Sequence, residues 1–196
     1  MPKPSHREPL VDAGLRVMLR KGYVGSGVRE IVAEAGAPQG SFTNHFASKE
    51  QFAEVVLDQY FEHVLRLVRE ALDDTTASPR DRLRRYLDLI STRLEEDDYA
   101  RGCLIGDFSL ETPGHSEVLR RRLAAVFAAW REPFAACIAA GQAAGQLDDT
   151  FAPVDLAEYL LASWEGAILR AKVERSAAPL ERFKTIAFHT VFREEA

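Results

Sequence analysis

From Pro9 to Glu194 the apolar residues recur at intervals of three and four, the period of an α-helix, and no stretch of four or more alternating β-branched residues bounded by turn signals interrupts them. Such a chain must bury its apolar stripes helix against helix, so the fold class is all-α. Breakers divide it into about nine helices. Pro9 to Lys21 carries Leu10, Ala13, Leu15, Val17 and Met18 and runs into Gly22, a glycine of the kind that follows helix ends. Ser26 is placed to cap a short helix, Val28 to Ala35, stopped by Gly36; Ala37-Pro38 turns the chain, and Pro38 opens a second short helix to about Phe46. Ser48-Lys49-Glu50-Gln51 reads as a capping box, with Ser48 as N-cap, opening a long helix to about Leu72. Further helices are expected over Pro79–Asp97, Gly102–Glu111, His115–Ala144 with a kink or break at Pro133, Pro153–Arg175 and Pro179–Glu194.

Composition narrows the class. With 196 residues, 46% of them hydrophobic and 28% charged, the chain can build a core of domain size. No apolar run approaches the roughly 18 residues needed to span a bilayer, and Met1 to Arg7 leads into no apolar signal region, so a cytoplasmic protein without a membrane partner is expected. Cys103 and Cys137 are too few for a disulfide framework or a zinc module and are expected as reduced thiols. The five histidines, His6, His45, His63, His115 and His189, are scattered, and neither a glycine-rich phosphate loop nor a nucleophile elbow is present. No metal, cofactor or catalytic constellation is expected, and the acidic pair Asp107 and Glu111 reads more simply as a solvated helix face than as a cation site.

The net charge of −5 is unevenly spread. Residues 1 to 50 hold seven Lys or Arg, Lys3 among them, against five acids, a balance of +2, which leaves −7 for the remainder. A slightly basic end on an acidic body suits contact with a polyanion through that end alone.

Two short helices joined by a sharp glycine-containing turn, behind a supporting helix, form the arrangement of a helix-turn-helix reader of DNA. In the second short helix Gln39, Ser41, Thr43, Asn44 and His45 offer short polar groups to base edges or phosphates, while Phe42 and Phe46 anchor it. Arg29 and Lys49 flank this surface as phosphate contacts.

The longer string, Gly22-Tyr23, then Gly27 to Phe46, then Ser48-Lys49-Glu50, closely resembles the DNA-binding head of the TetR family of one-component repressors over about residues 7 to 55. That resemblance implies an all-helical homodimer. Residues 1–50 would be the DNA-binding head and residues 51–196 the ligand-receiving and dimerising body. Carried over by position, it implies DNA contacts at Arg29, Gln39, Ser41, Thr43, His45 and Lys49, with Thr43 and Gln39 standing where relatives usually place an aromatic residue and a lysine. Arg101 to Glu111 together with Trp164 to Lys172 resembles the TetR branch of NemR-type repressors, which implies a redox-sensing pair at Cys103 and Lys172. A helix N-terminus and a neighbouring guanidinium, Arg101, both favour the reactive anionic form of a thiol, whereas a buried cysteine is otherwise simply core.

The alternative way to receive a signal is a pocket among Tyr60, Phe61, Phe108, Phe127, Trp130 and Trp164, anchored by Asp107 or Glu111. The two C-terminal helices carry apolar stripes suited to a two-fold interface or to the chain's own core. The expected function is a regulator, in the repressor sense, released from a palindromic operator by a small molecule or an electrophile. The competing readings are a helical adaptor for proteins, which would need no polar stripe beside Arg29 and Lys49, and an enzyme with an unrecognised site.

Overall fold

Nine helices and no strand occur among residues 5–193, the residues that the computed structural model describes. They are α1 (Arg7–Gly25), α2 (Val28–Glu34), α3 (Ser41–His45), α4 (Lys49–Leu72), α5 (Pro79–Glu95), α6 (Leu104–Glu111), α7 (Glu117–Ala143), α8 (Pro153–Glu174) and α9 (Ala178–Thr190). Lys3 and Glu194, the expected end of the last helix, lie outside the described residues. By contacts the chain divides into two compact units, one of residues up to 63 with 103–125 and one of residues 64–102 with 126 onward, and α4 and α7 each contribute to both.

Most boundaries follow local chemistry. Ser48 accepts from the Gln51 N–H at 3.0 Å, and the Gln51 side chain accepts from the Ala47 N–H at 2.8 Å, so the capping box forms with its return bond one residue early. Ser78 caps α5 by accepting from Asp81 N–H at 3.1 Å, behind a proline in the first turn. Gly22 breaks α1 with φ 71° and ψ −177°, backbone space that only glycine enters freely.

Three expectations are corrected. Ser26 does not cap α2: it is buried and donates to the Tyr23 carbonyl at 2.8 Å, and Gly27 stands at the N-cap instead. Pro38 does not open α3 but starts the turn before it, its carbonyl accepting from Ser41 N–H at 2.9 Å, so the helix begins three residues later. Nor does Pro133 break α7, which is continuous through it. The missing N–H and ring clash cost about 3 kcal/mol. Trp130, Phe134 and Ile138 on either side are buried, at about 1.5–3 kcal/mol for each large side chain.

By length and composition α7 alone resembles a membrane span among the described residues. Its large residues Leu119, Leu123, Val126, Trp130, Phe134 and Ile138 are buried, and its exposed positions include alanines together with the charged Glu117, Arg120, Arg121 and Glu132.

In the first unit Leu10, Ala13, Val17 and Met18 of α1 are fully buried, as are Leu104, Ile105 and Phe108 of α6. A methyl group added at Gly14 would stand 2.3 Å from the Phe52 ring, so α1 and α4 approach as closely as two backbones with one intervening ring allow. In the second unit α9 is held to α5 by polar ties. The nearly buried Lys184 ammonium bonds Asp88 at 2.6 Å and Glu181 at 2.7 Å, and Arg80 donates to the Phe192 and Phe188 carbonyls at 2.9 and 3.2 Å. Burial works to depress the Lys184 pKa, but its two carboxylate partners prevail and raise it.

Candidate nucleic-acid interface

The acids of α2 tie it to α1. Glu34 receives Arg16 at 3.0 Å and Arg20 at 3.2 Å, and Glu30 receives Lys21 at 2.7 Å. The two arginine hydrogen bonds hold the Glu34 carboxyl below the usual carboxylate range. Arg29, exposed on the same helix, makes no ion pair among the described residues, which leaves its guanidinium for an outside anion.

Rings anchor α3. Phe42 and Phe46 pack on each other with centroids 5.4 Å apart and on Phe52 of α4 at 5.1 and 4.7 Å, and the Arg7 guanidinium lies 5.7 Å over Phe46. The three rings bury one edge of a five-residue helix too short to stand alone. Its other edge is polar: Thr43 and Asn44 are exposed, as are Gln39 and Gly40 in the turn before them, and His45 is half-buried. Thr43 donates its hydroxyl back to the Gly40 carbonyl at 3.1 Å, which fixes the rotamer and turns lone pairs outward.

Two expected contacts sit differently. Ser41 is only 6% exposed, because it lies on the ring-facing edge with Phe42. Lys49 is half-buried: its ammonium donates to the Tyr23 carbonyl at 2.5 Å and lies 4.5 Å over the Tyr23 ring. Burial lowers the Lys49 pKa, opposed by the charge of Glu111. Tyr23 is edge-on to Phe108 of α6 at 5.7 Å, and its phenol pKa is raised by burial and by Glu50. Glu50 in turn accepts from the Ser116 hydroxyl. Glu111, expected as a pocket anchor, instead accepts from the Val24 N–H at 2.6 Å. Sequence reasoning missed this role for Glu111 and the part of Tyr23, whose partners lie 26 and 85 or more residues away; Gly22 before Tyr23 was the local signal that the backbone there does something unusual.

Of the body residues, Cys103 is buried at the N-cap of α6, and the guanidinium of Arg101, expected as its neighbour, is engaged by the Asp97 carboxylate at 2.6 and 2.7 Å. Lys172 is half-buried and runs along Gly102: a methyl group there would stand 3.1 Å from Lys172 Cδ and 3.7 Å from Nζ. Cys137 is a buried thiol, 3.5 Å from the Pro79 carbonyl, its pKa pushed up by burial.

Tyr60 is half-buried, while Phe108, Trp130 and Trp164 are buried. Trp130 stacks on Phe127 at 6.3 Å and Trp164 packs on Phe183 at 5.5 Å, yet both indole N–H groups are buried without an acceptor among the described residues. A groove of about 570 Å³ in the second unit is lined by Phe151, Leu156, Tyr159 and Val191 and by none of the expected pocket aromatics.

Comparison with known proteins agrees with this geometry. The pattern described as "Bacterial regulatory proteins, tetR family" matches residues 10–56, and that described as "Tetracyclin repressor-like, C-terminal domain" matches residues 79–187. The HTH-type transcriptional repressor DhaR of a Mycobacterium species is 43% identical over 185 residues, covering 94% of this chain and 91% of its own length. The crystal structure of a TetR regulatory protein from Rhodobacter sphaeroides superposes with a TM-score of 0.88 at 33% identity, covering 93% of this chain and 97% of the other. The reduced form of Escherichia coli NemR gives 0.84 at 26% identity, covering 98% and 100%.

Proposed function

The chain belongs to the TetR family of bacterial regulatory proteins, and from that premise we propose that it is a homodimeric repressor whose two heads, residues 1–50, read a palindromic operator while residues 51–196 dimerise and receive the signal. The observation that carries the DNA reading is the polar edge of α3 beside a guanidinium with no ion-pair partner among the described residues. Gln39, Thr43, Asn44 and His45 meet base edges or phosphates, and Arg29 meets the backbone. Ser41 acts through packing. Lys49 steadies Tyr23 and keeps its two remaining donors for phosphate. Two heads on successive turns of one DNA face would place half-sites about 34 Å apart. The interface between copies is the outer face of α8 and α9, where Tyr159, Leu169, Val173 and Ile186 are 47%, 46%, 76% and 53% exposed at helical spacing. The protein works in the cytoplasm, where both cysteines stay reduced.

The signal is modification of the Cys103 thiol by an electrophile or oxidant, with Lys172 as the second member of the pair that the resemblance implies; the place of Cys103 at the N-cap of α6 supports the thiol's part. A reversible ligand is the second reading, favoured by the two buried indole N–H groups of Trp130 and Trp164, which an acceptor on a small molecule would satisfy. A coupling of about 1–3 kcal/mol between signal and operator suffices for release.

The test is selection from a random duplex library at two salt concentrations, with Cys103 free or alkylated and a Cys103→Ser control. An enriched palindrome, lost on alkylation in the wild type and retained in the control, is the expected result. No enrichment at either salt rejects the DNA reading, and retained binding after alkylation rejects the thiol signal.

A further inference from the structure

Residues 22–27, from the break in α1 at Gly22 to the N-cap of α2, carry the chain from α1 into α2 and so decide where α2 and α3 point. α6 reaches this connection with two side chains one turn apart. Phe108 packs edge-on against the Tyr23 ring at 5.7 Å, and Glu111 accepts from the Val24 N–H at 2.6 Å. The other ties are the Lys49 ammonium and the Ser26 hydroxyl, both on the Tyr23 carbonyl, at 2.5 and 2.8 Å. Gly22 fits the carboxylate closely: a methyl group there would stand 1.9 Å from Glu111 Oε1, and its φ of 71° disfavours any other residue.

Nothing local to α6 favours glutamate at position 111. It is the last residue of the helix, where the negative end of the dipole opposes a carboxylate. What favours it lies far along the chain, in the Val24 amide that donates to it 87 residues away and in the charge of the Lys49 ammonium. A residue that breaks a local rule and is satisfied by groups far along the chain points to a geometric role.

We propose that Glu111 is a positioning residue for DNA reading, its carboxylate gripping the backbone at residues 22–24 so that α2 and α3 leave α1 in one fixed direction. The inference rests on α3 as the reading helix. Glu111 itself touches no DNA; it acts through the connection, so sequence discrimination depends on it more than affinity for phosphate does.

Two measurements test this on the full chain: hydrogen exchange of peptides spanning residues 22–34, and affinity for the duplex selected by the wild-type protein against a scrambled duplex of equal length. In Glu111→Ala, exchange over 22–34 rises about tenfold while α8 and α9 peptides are unchanged. Discrimination between the two duplexes falls about tenfold, with scrambled-duplex affinity retained. Glu111→Gln keeps an acceptor for Val24 and stays within about threefold of wild type in both readouts. If the alanine variant has no melting transition, Glu111→Met, of similar volume and without the acceptor, carries the same measurements. Unchanged exchange and discrimination overturn the proposal, as does a parallel loss of both affinities with a falling Tm, which marks a merely structural role. Equal losses in Glu111→Gln and Glu111→Ala overturn it too. If the wild type enriches no duplex, the DNA reading fails, and the exchange over 22–34 still decides whether Glu111 holds the connection.

Discussion

The α2–α3 pair and the α8–α9 pair each bury one face and leave the other bare, and the bare faces differ in kind. Around α3 the exposed side chains are Gln39, Thr43 and Asn44, with the Arg29 guanidinium close in sequence. On α8 and α9 they include the large apolar side chains Tyr159, Leu169, Val173 and Ile186, set among charged ones such as Arg170 and Arg182. A hydrated polar face is content in water and exchanges that water for other polar groups, whereas an apolar face forfeits about 25 cal/mol for every Å² left wet. What a helix pair leaves exposed bears on the partner proposed for it: a polyanion for the first, and for the second a protein surface that covers apolar side chains.

The contrast can be broken at either end. Leu169→Asp combined with Ile186→Asp sets like charges into the apolar face and should raise the dimer Kd by more than about a hundredfold, read by sedimentation equilibrium. Operator affinity should fall with it; an unchanged dimer would assign that face to another partner. Phe42→Ala should lower stability by about 3–5 kcal/mol through loss of the ring cluster under α3, read by denaturant unfolding. Asn44→Ala and Thr43→Ala should each weaken specific binding by about 1–3 kcal/mol with the Tm unchanged, and a fall in Tm would mean that the polar edge is structural after all. Arg29→Ala should weaken all duplexes alike and reduce the salt slope by about one unit, as measured by titration at several salt concentrations.

The smallest effect is acid sensitivity. Paired carboxylates have folded pKa values below their unfolded ones, so their stabilisation is present at neutral pH and lost as pH falls through the folded value. For Asp148, held at about 2 by Thr150 and Arg193, the loss runs from about pH 4 to pH 2. Glu34, depressed by Arg16 and Arg20, moves in the same direction and loosens α2 from α1. Exchange measured across that pH range should show both segments opening; a flat profile would mean the exposed pairs contribute nothing.

Features governed by neighbours in sequence were legible. The all-helical class, the capping box at Ser48, the break at Gly22 and the ring anchors Phe42 and Phe46 all follow from spacing and from backbone chemistry within a turn or two. The ones that were not legible depend on contacts far along the chain. Ser41 is buried at the first position of a helix that starts three residues later than Pro38 implied. The Lys49 ammonium is claimed by a carbonyl 26 residues earlier, and Glu111 by an amide 87 residues earlier. At Pro133 the helix does not break, for the same reason, since the local penalty is set against burial of side chains whose partners the local sequence does not specify.

The closeness of Gly14 to the Phe52 ring has a genetic consequence. Any side chain there forces α1 away from α4 and takes the rings beneath α3 with it. In a screen for cells that have lost repression, substitutions at this glycine should therefore be recovered beside those on the polar edge of α3, and they should yield less protein rather than protein with altered sequence preference. Immunoblotting the recovered alleles would sort the two groups, so that a map of inactivating mutations on this chain traces its packing as well as its contacts with DNA.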